Sequence, residues 1–362
     1  MPKVSVIMPV FNNETFLRES IESILQQTYR DFEFIIVCEY GSNIASVKII
    51  EEYASLDDRV QIISNNTKLN IAASLNAGLD IANGEYIARM DADDVSLKER
   101  LAIQVDFLDI HEKIGICATD VYFIDKQGLL LNLVDPYPHS AKQIKSDLLF
   151  YCCLRHSSVM MRRSAILEAG LRYNPDYSAT EDFDFWNNAC QSLDIVRIPN
   201  KLLLYRWHRD NATYTHNEQG VSNYLSVMNT NFLRFGLHFS RLQLHSLCTL
   251  TCKLTLRNVF RTLRFIHSAS DEIKKRNQVL NLYDSECLDL TLKKRMFWHR
   301  SPWRLVVSVS IRAVSWILGN FSKKISFALD RAATYLEIHG IKKSVKRVFN
   351  KKSRIHYKYL LQ

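Results

Sequence analysis

Polar and apolar positions change period in a regular order over the first hundred residues. Lys3 to Val10 alternates and then runs apolar, rich in Val and Ile, and stops at Phe11-Asn12-Asn13, a strand followed by a loop. From Glu14 on, Phe16, Leu17, Ile21, Ile24 and Leu25 recur at helical spacing. FEFIIVC at 32–38 is the continuous apolar run of a strand covered on both faces. A Gly-Ser-Asn turn at 41–43 leads to a helix over 44–54, a strand VQIIS at 60–64, and a helix over 71–82 that ends at Asn83-Gly84. The strand EYIARM and a helix over 97–109 continue the series. Strand and helix in alternation predict a Rossmann-like α/β fold, a mostly parallel sheet with helices on both faces. In such sheets ligands bind beyond the carboxyl ends of the strands. That rule gathers Pro9–Glu14, Cys38–Asn43 and Asp91–Asp94 on one rim.

Past residue 115 the pattern loosens. ICATDVYFI (116–124) and LLLNLV (129–134) read as strands joined by a Lys-Gln-Gly turn, followed by a helix near 141–149, a strand around His156–Met161 and a helix near 163–169. EDFDFWNNAC (181–190) opens another helix, and 196–208 reads as a strand pair ending in YRWH. From 216 onward the composition is helical and basic, so the expected division is 1–215 and 216–362.

Composition changes this picture in two ways. The 362 residues are 47% hydrophobic, which suits a folded chain with a real core. The net charge of +9 hides an asymmetry: residues 1–240 hold 22 Lys and Arg against 31 Asp and Glu, and residues 241–362 hold 25 against 7. An acidic first part suits a site organised around a cation, and a basic second part suits phosphates. The eight cysteines show no CxxC pair and no ligand rhythm, so free thiols are expected. The N-terminus lacks a signal-peptide core, which places the chain in the cytosol and leaves the sequons at Asn65 and Asn211 without consequence.

The candidate chemistry begins at GEYIARMDADD, residues 84–94, where three carboxylates crowd within four positions at the end of a strand. Such charges repel and resist desolvation unless they face water or hold a cation. With VSVIMPVFNNE, FEFIIVCEYGSN, EDFDFW and YRWH in unbroken order over residues 3–215, this stretch resembles the inverting family 2 glycosyltransferases of the GT-A fold. The resemblance implies a nucleotide-sugar donor, UDP-linked, whose diphosphate leaves with its charge met by Mn²⁺ or Mg²⁺ on Asp91 and Asp93. His208 would complete that metal site. Pro9, Val10, Phe11, Asn12, Glu14, Glu39, Asn76, Arg89, Ala92 and the two aspartates would form the donor edge, with Phe11 near the base and Glu39 accepting a base N–H. Glu39 stands where the family usually has Asp, and Asn70-Ile71-Ala72 where it has Asn-x-Gly. Asp182 matches the family's general base and Glu181 an acceptor-binding or orienting partner. Asp94 reads as a neighbour that orients the pair or as a turn and helix-cap residue. Trp186 reads as core or sugar-stacking, and His156 as acceptor-side or structural.

The product implied is a bacterial cell-surface glycan, with a glycan or lipid-linked acceptor. A sugar-nucleotide pyrophosphorylase would need a Gly-rich, Arg-containing N-terminal loop that the chain lacks. A non-catalytic anchoring or nucleic-acid-binding protein would not need DAD, ED and His208 together, and the basic tail lacks the interleaved aromatics of a nucleic-acid platform, so no nucleic acid is expected. Within the tail, Leu305 to Phe321 is too short and too broken by Arg312 to span a bilayer. As a helix over 301–326 it is amphipathic, and it suits equally an anionic membrane surface, making the enzyme peripheral on the inner face of the cell membrane, or packing on the catalytic domain.

Overall fold

The computed structural model describes residues 1–207, 218–248 and 259–300, apart from Asn66, Lys68, Val134, Pro136 and Ser178. The alternation read from the N-terminal half is present as β1 (Val4–Val10), α1 (Leu17–Leu25), β2 (Phe32–Cys38), α2 (Ile44–Leu56), β3 (Val60–Ser64), α3 (Ile71–Ile81) and β4 (Tyr86–Arg89). There follow β5 (Val95–Ser96), α4 (Arg100–Ile110), β6 (Ile114–Ile124), β7 (Leu130–Leu131), α5 (Ala141–Leu148), β8 (Met160–Arg162), α6 (Arg163–Glu168), α7 (Glu181–Ala189) and β9 (Asp194–Arg206). The strands form one sheet in the order β3-β2-β1-β4-β8-β6-β9-β5, with β7 beside β6. β3, β2, β1 and β4 run parallel; β8 reverses against β4 and β6, and β9 runs parallel to β6.

The two-residue period of a strand explains the layers. Val4, Val6, Met8 and Val10 pack with Leu17, Ile21 and Ile24 of α1, Ile49 and Ile50 of α2, and Leu101, Val105 and Leu108 of α4. Ile7 points the other way, and there α3 lies so close that a Cβ on Gly78 would stand 2.6 Å from Ile7 Cγ2. Helices therefore cover both faces. Each fully buried aliphatic side chain contributes roughly 1.5–3 kcal/mol. Side-chain oxygens start three of the helices: Asn43 accepts from Ser46 N–H, Asn70 from Ala73 N–H and Ser140 from Gln143 N–H.

Three elements differ from the sequence pattern, each through a tertiary contact. The helix expected from Leu97 starts at Arg100, because Val95 and Ser96 pair with Leu204 and Leu203 of β9. His156–Ser158 is a 3₁₀ turn, and the strand starts only at Met160. The strand pair expected over 196–208 is the second part of one strand, β9; its register against β6 passes from Ile198 opposite Thr119 to Lys201 opposite Asp120. Pro199 and Asn200 are thus accommodated as an irregularity, as a residue without an N–H requires.

One compact unit runs Met1–Asn231 and a second starts at Phe232. α8 (Glu218–Leu233) carries the first unit past 215: Tyr224 stacks on Phe183 at 4.6 Å and its hydroxyl donates to the Phe150 carbonyl at 3.1 Å. In the second unit, α9 (Arg241–Leu247) opens with a capping box between Ser240 and Gln243. α10 (Val259–Leu280) and α11 (Ser285–Arg300) are joined by a turn in which the Asn277 amide bonds both backbone groups of Tyr283. Among the described residues no helix is long and apolar enough to cross a membrane, and the cysteines are free thiols. The amphipathic segment 301–326 and the basic terminus lie outside the described residues.

Candidate active site

The loops after β1 and β2 are laced together at the carboxyl edge of the sheet. Glu39 N–H donates to the Val10 carbonyl at 3.0 Å, Asn43 N–H to Asn12 Oδ1 at 2.7 Å, and Asn43 Nδ2 to Glu14 Oε2 at 2.7 Å. The Asn43 bond keeps the Glu14 carboxyl below the usual range. Asn12 takes a positive φ of 49°, which Asn tolerates, and Gly41 supplies the φ of +80° that closes the turn over Tyr40. Pro9 and Val10 are buried and shape the edge through their backbone, while Phe11 stands 55% exposed above it. Glu39 is buried and accepts from the Ser74 hydroxyl, and burial pushes its carboxyl up. Asn76 has its amide engaged: it bonds the carbonyl and N–H of Tyr173, fastening that segment to α3.

The three acids of the carboxylate loop are unequal. Asp91 is half-buried, with Oδ1 2.6 Å from Arg89 Nη2 and Oδ2 accepting from Ser157. Burial alone would raise its carboxyl, but the Arg89 guanidinium foremost and the Ser157 hydroxyl outweigh that and hold it below the usual range. Arg89 is buried under the loop, and its carbonyl accepts from Arg100 Nη2 at 2.7 Å. Ala92 packs into the core and Asp93 is half-buried. Asp94 is buried; its Oδ1 accepts the Arg206 N–H at 2.8 Å, and burial with the charges of Asp93 and Asp91 pushes its carboxyl well above the usual range. It tethers the loop to β9 and does not cap α4, whose N-cap position is Glu99.

Glu181 and Asp182 begin α7. Asp182 Oδ1 accepts the N–H of Phe183 at 2.7 Å and its Oδ2 lies 3.5 Å from Cys152 Sγ. Glu181 is buried with Oε2 unbonded, and burial followed by the Asp182 charge pushes it up to about 8. Burial raises Asp182 as well.

The acid pair and the carboxylate loop meet through His156 and Ser157. Ser157 donates to Asp91, while His156 Nε2 lies 2.8 Å from the Tyr173 hydroxyl and its ring meets Trp186 of α7 edge-on at 5.6 Å. Burial first and the Arg89 charge second hold the His156 pKa down to about 3, so the ring is neutral. Trp186 is fully buried and stacks on no exposed surface. His208 lies outside the described residues.

Sequence reasoning passed over Ser157, Tyr173 and Arg206. Buried Arg206 donates from Nε to the Asp93 carbonyl at 2.7 Å and from Nη2 to Glu19 at 2.5 Å, with its guanidinium 4.3 Å from the Phe16 ring. Its position in YRWH was the only local signal, since the groups it joins lie more than eighty residues away.

Among the described residues no three His, Cys, Asp or Glu side chains gather as a metal cage. Asp91 and Asp93 nevertheless fit Mn²⁺ or Mg²⁺: they are hard oxygen donors, half-buried at the rim, and such ions are held by one or two carboxylates with water and phosphate oxygens completing the shell.

Comparison with known proteins places the chain in a family. Residues 5–168 match the family model for glycosyl transferase family 2. An uncharacterized glycosyltransferase of Methanocaldococcus jannaschii is 37% identical over 211 residues, covering 55% of this chain and 72% of that protein. The O-antigen biosynthesis glycosyltransferase WbnJ of Escherichia coli is 31% identical over 248 residues, covering 66% and 95%. The crystal structure of S. aureus TarS 1–349 in complex with UDP-GlcNAc superimposes with a TM-score of 0.56 at 14% identity, over 83% of this chain and 91% of that one, and so shares the fold. The chain belongs to glycosyl transferase family 2.

Proposed function

We propose that this enzyme moves a sugar, with inversion at the anomeric carbon, from a UDP-linked donor to a hydroxyl of a glycan or lipid-linked acceptor in the assembly of a cell-surface polysaccharide such as O-antigen. The observation that carries it is the bridge of His156 and Ser157, which joins the Asp91 side of the rim to α7 with its two acids. The polysaccharide context rests on the kinship with WbnJ, and the UDP donor on the resemblance of the rim loops to the family's.

Asp182 takes the proton of the acceptor hydroxyl as that oxygen attacks the anomeric carbon from the side opposite the leaving diphosphate. Its environment fits: a base in a half-buried site with a raised affinity for protons, oriented by the Phe183 N–H. Glu181 keeps its own proton near neutrality and orients the acceptor. Phe11 lies along the base, and Glu39 accepts a base N–H. Asp91 and Asp93 would hold Mn²⁺ or Mg²⁺, which would supply positive charge against that of the leaving diphosphate. Arg89 and Ser157 keep Asp91 ionised for that task.

Purified protein incubated with Mn²⁺ and a panel of nucleotide sugars, with mass-spectrometric detection, tests this. Transfer or hydrolysis from at least one UDP-sugar is expected. Asp93→Ala and Asp182→Asn each lose at least about a hundredfold in rate while keeping the wild-type circular dichroism. Asp94→Asn, which keeps the acceptor atom for the Arg206 N–H, stays within a few-fold. Full activity in both of the first two variants would remove the site assignment.

A further inference from the structure

Arg155 stands out among the arginines of the first unit because its guanidinium is held by rings and an ion pair without donating a hydrogen bond to any described residue. The guanidinium carbon lies 5.0 Å from the Tyr137 ring, 5.1 Å from the Tyr205 ring and 5.3 Å from the Phe123 ring. Its acidic neighbour is Asp135, with Nε 3.5 Å from Oδ2, and that oxygen also lies 3.4 Å from Arg197 Nη1. Neither contact has hydrogen-bond geometry: Arg155 Nε and both Asp135 oxygens are buried without a hydrogen-bond partner. Among the described residues the Arg155 guanidinium donates no hydrogen bond, although it carries five N–H groups. Arg206, equally charged and close by, uses its guanidinium on Asp93, Asp125 and Glu19.

A desolvated guanidinium with unused donors is costly, and three rings around it fix its plane without satisfying it. The side chain is 23% exposed, so the unused edge can be reached. Its surroundings tie it to the site. Tyr205, one of the rings, directly precedes Arg206, which holds the carboxylate loop, and Arg155 directly precedes His156. Cys152, three residues before it, touches Asp182. Arg155 thus packs on Tyr205, whose hydroxyl lies within reach of the charges of Asp94, Asp91 and Asp93, and follows the segment in which Cys152 touches Asp182.

We propose that Arg155 binds a phosphate group of a substrate through its planar fork of N–H donors. Guanidinium matches the oxygens of a phosphate two at a time, and the aromatic packing pre-orients it for that contact. Diphosphate is the chemistry indicated; it is present in a nucleotide-sugar donor and in a lipid-diphosphate acceptor. The inference rests on the glycosyltransfer reading of the same site.

Titration calorimetry on the full chain with Mn²⁺ separates the outcomes, using UDP, uridine and, after saturation with UDP, farnesyl diphosphate. Arg155→Met keeps the length of the side chain and removes its charge; Arg155→Lys keeps the charge and removes the fork. If the donor phosphate is the ligand, Arg155→Met weakens UDP about tenfold and leaves uridine unchanged. If the acceptor phosphate is the ligand, UDP is unchanged and farnesyl diphosphate weakens about tenfold. Arg155→Lys falls between Met and wild type in whichever arm responds, which guards against a Met variant that does not fold. Unchanged binding of both diphosphates in the folded variants, with a lowered melting temperature alone, overturns the proposal and leaves Arg155 a packing residue. Wild-type protein that binds neither UDP nor uridine overturns instead the functional reading on which it rests.

Discussion

Glu181 and Asp182 are neighbours in the chain and unequal in surroundings. Both sit in the first turn of α7, where a carboxylate is favoured by the helix dipole, yet burial works against the charge on each. Asp182 has the Phe183 N–H to stabilise its charge, whereas Oε2 of Glu181 has no partner. Two such carboxyls share protons as a pair, and the one with the poorer support keeps its proton. The consequence for stability has a definite sign. Glu181 binds its proton more tightly in the folded chain, at about 8, than at its ordinary value of 4.5. Its contribution is therefore complete below 4.5 and is lost as pH rises through 8. The melting temperature of Glu181→Gln should fall less than that of wild type between those limits. Parallel curves in differential scanning fluorimetry would show that Glu181 is ionised throughout.

At the level of elements, the end of β9 does most to place the carboxylate loop. The two-residue strand β5 follows the loop directly and pairs with Leu203 and Leu204, which sets Asp93 and Asp94 beside Arg206. Arg206 then closes on Glu19 of α1 and the Phe16 ring, so β9, the loop and α1 share one buried cation. Removing the cation leaves the Asp93 carbonyl without this donor and Glu19 without its partner. Arg206→Ala should cost about 3 kcal/mol in urea unfolding, whereas Glu19→Gln, at a side chain one-third exposed, should cost about 1 kcal/mol or less. Equal costs would show that the ion pair with Glu19, and not the grip on the loop, is what Arg206 supplies.

For the whole molecule the division of charge matters more than its total. The first 240 residues are net acidic and the remainder strongly basic, and the first compact unit contains every described residue of the site. A basic region beyond the catalytic unit suits an enzyme whose acceptor is carried on an anionic surface, because each Lys or Arg near such a surface contributes about 1 kcal/mol. Vesicles containing anionic phospholipid should sediment the full chain at low salt and release it as salt rises. A chain ending at residue 300 should stay in the supernatant while keeping transfer to a soluble acceptor. Equal sedimentation of the two would assign membrane contact elsewhere or nowhere.

The parallel half of the sheet was legible because its signals are local. FEFIIVC and VSVIMPV are apolar apart from Glu33 and Ser5, which bond each other, since both faces of those strands are covered, and Asn43 and Asn70 announce the helices they cap. The carboxylate loop and the acid pair were legible for a related reason: charges placed at the end of a buried strand or the start of a helix stand out against what precedes them. Ser157, Tyr173 and Arg206 carry no such contrast, and the irregularity at Pro199 looked like a turn because its accommodation depends on β6. By itself the sequence determined the order of elements from β1 to β4, the family and the residue types that chemistry at the rim requires. Only the tertiary structure decided which acid is ionised, which amide is spent on Tyr173, and which arginine grips the loop. Those outcomes depend on burial and on partners distant in the chain, and neither is encoded at any single position.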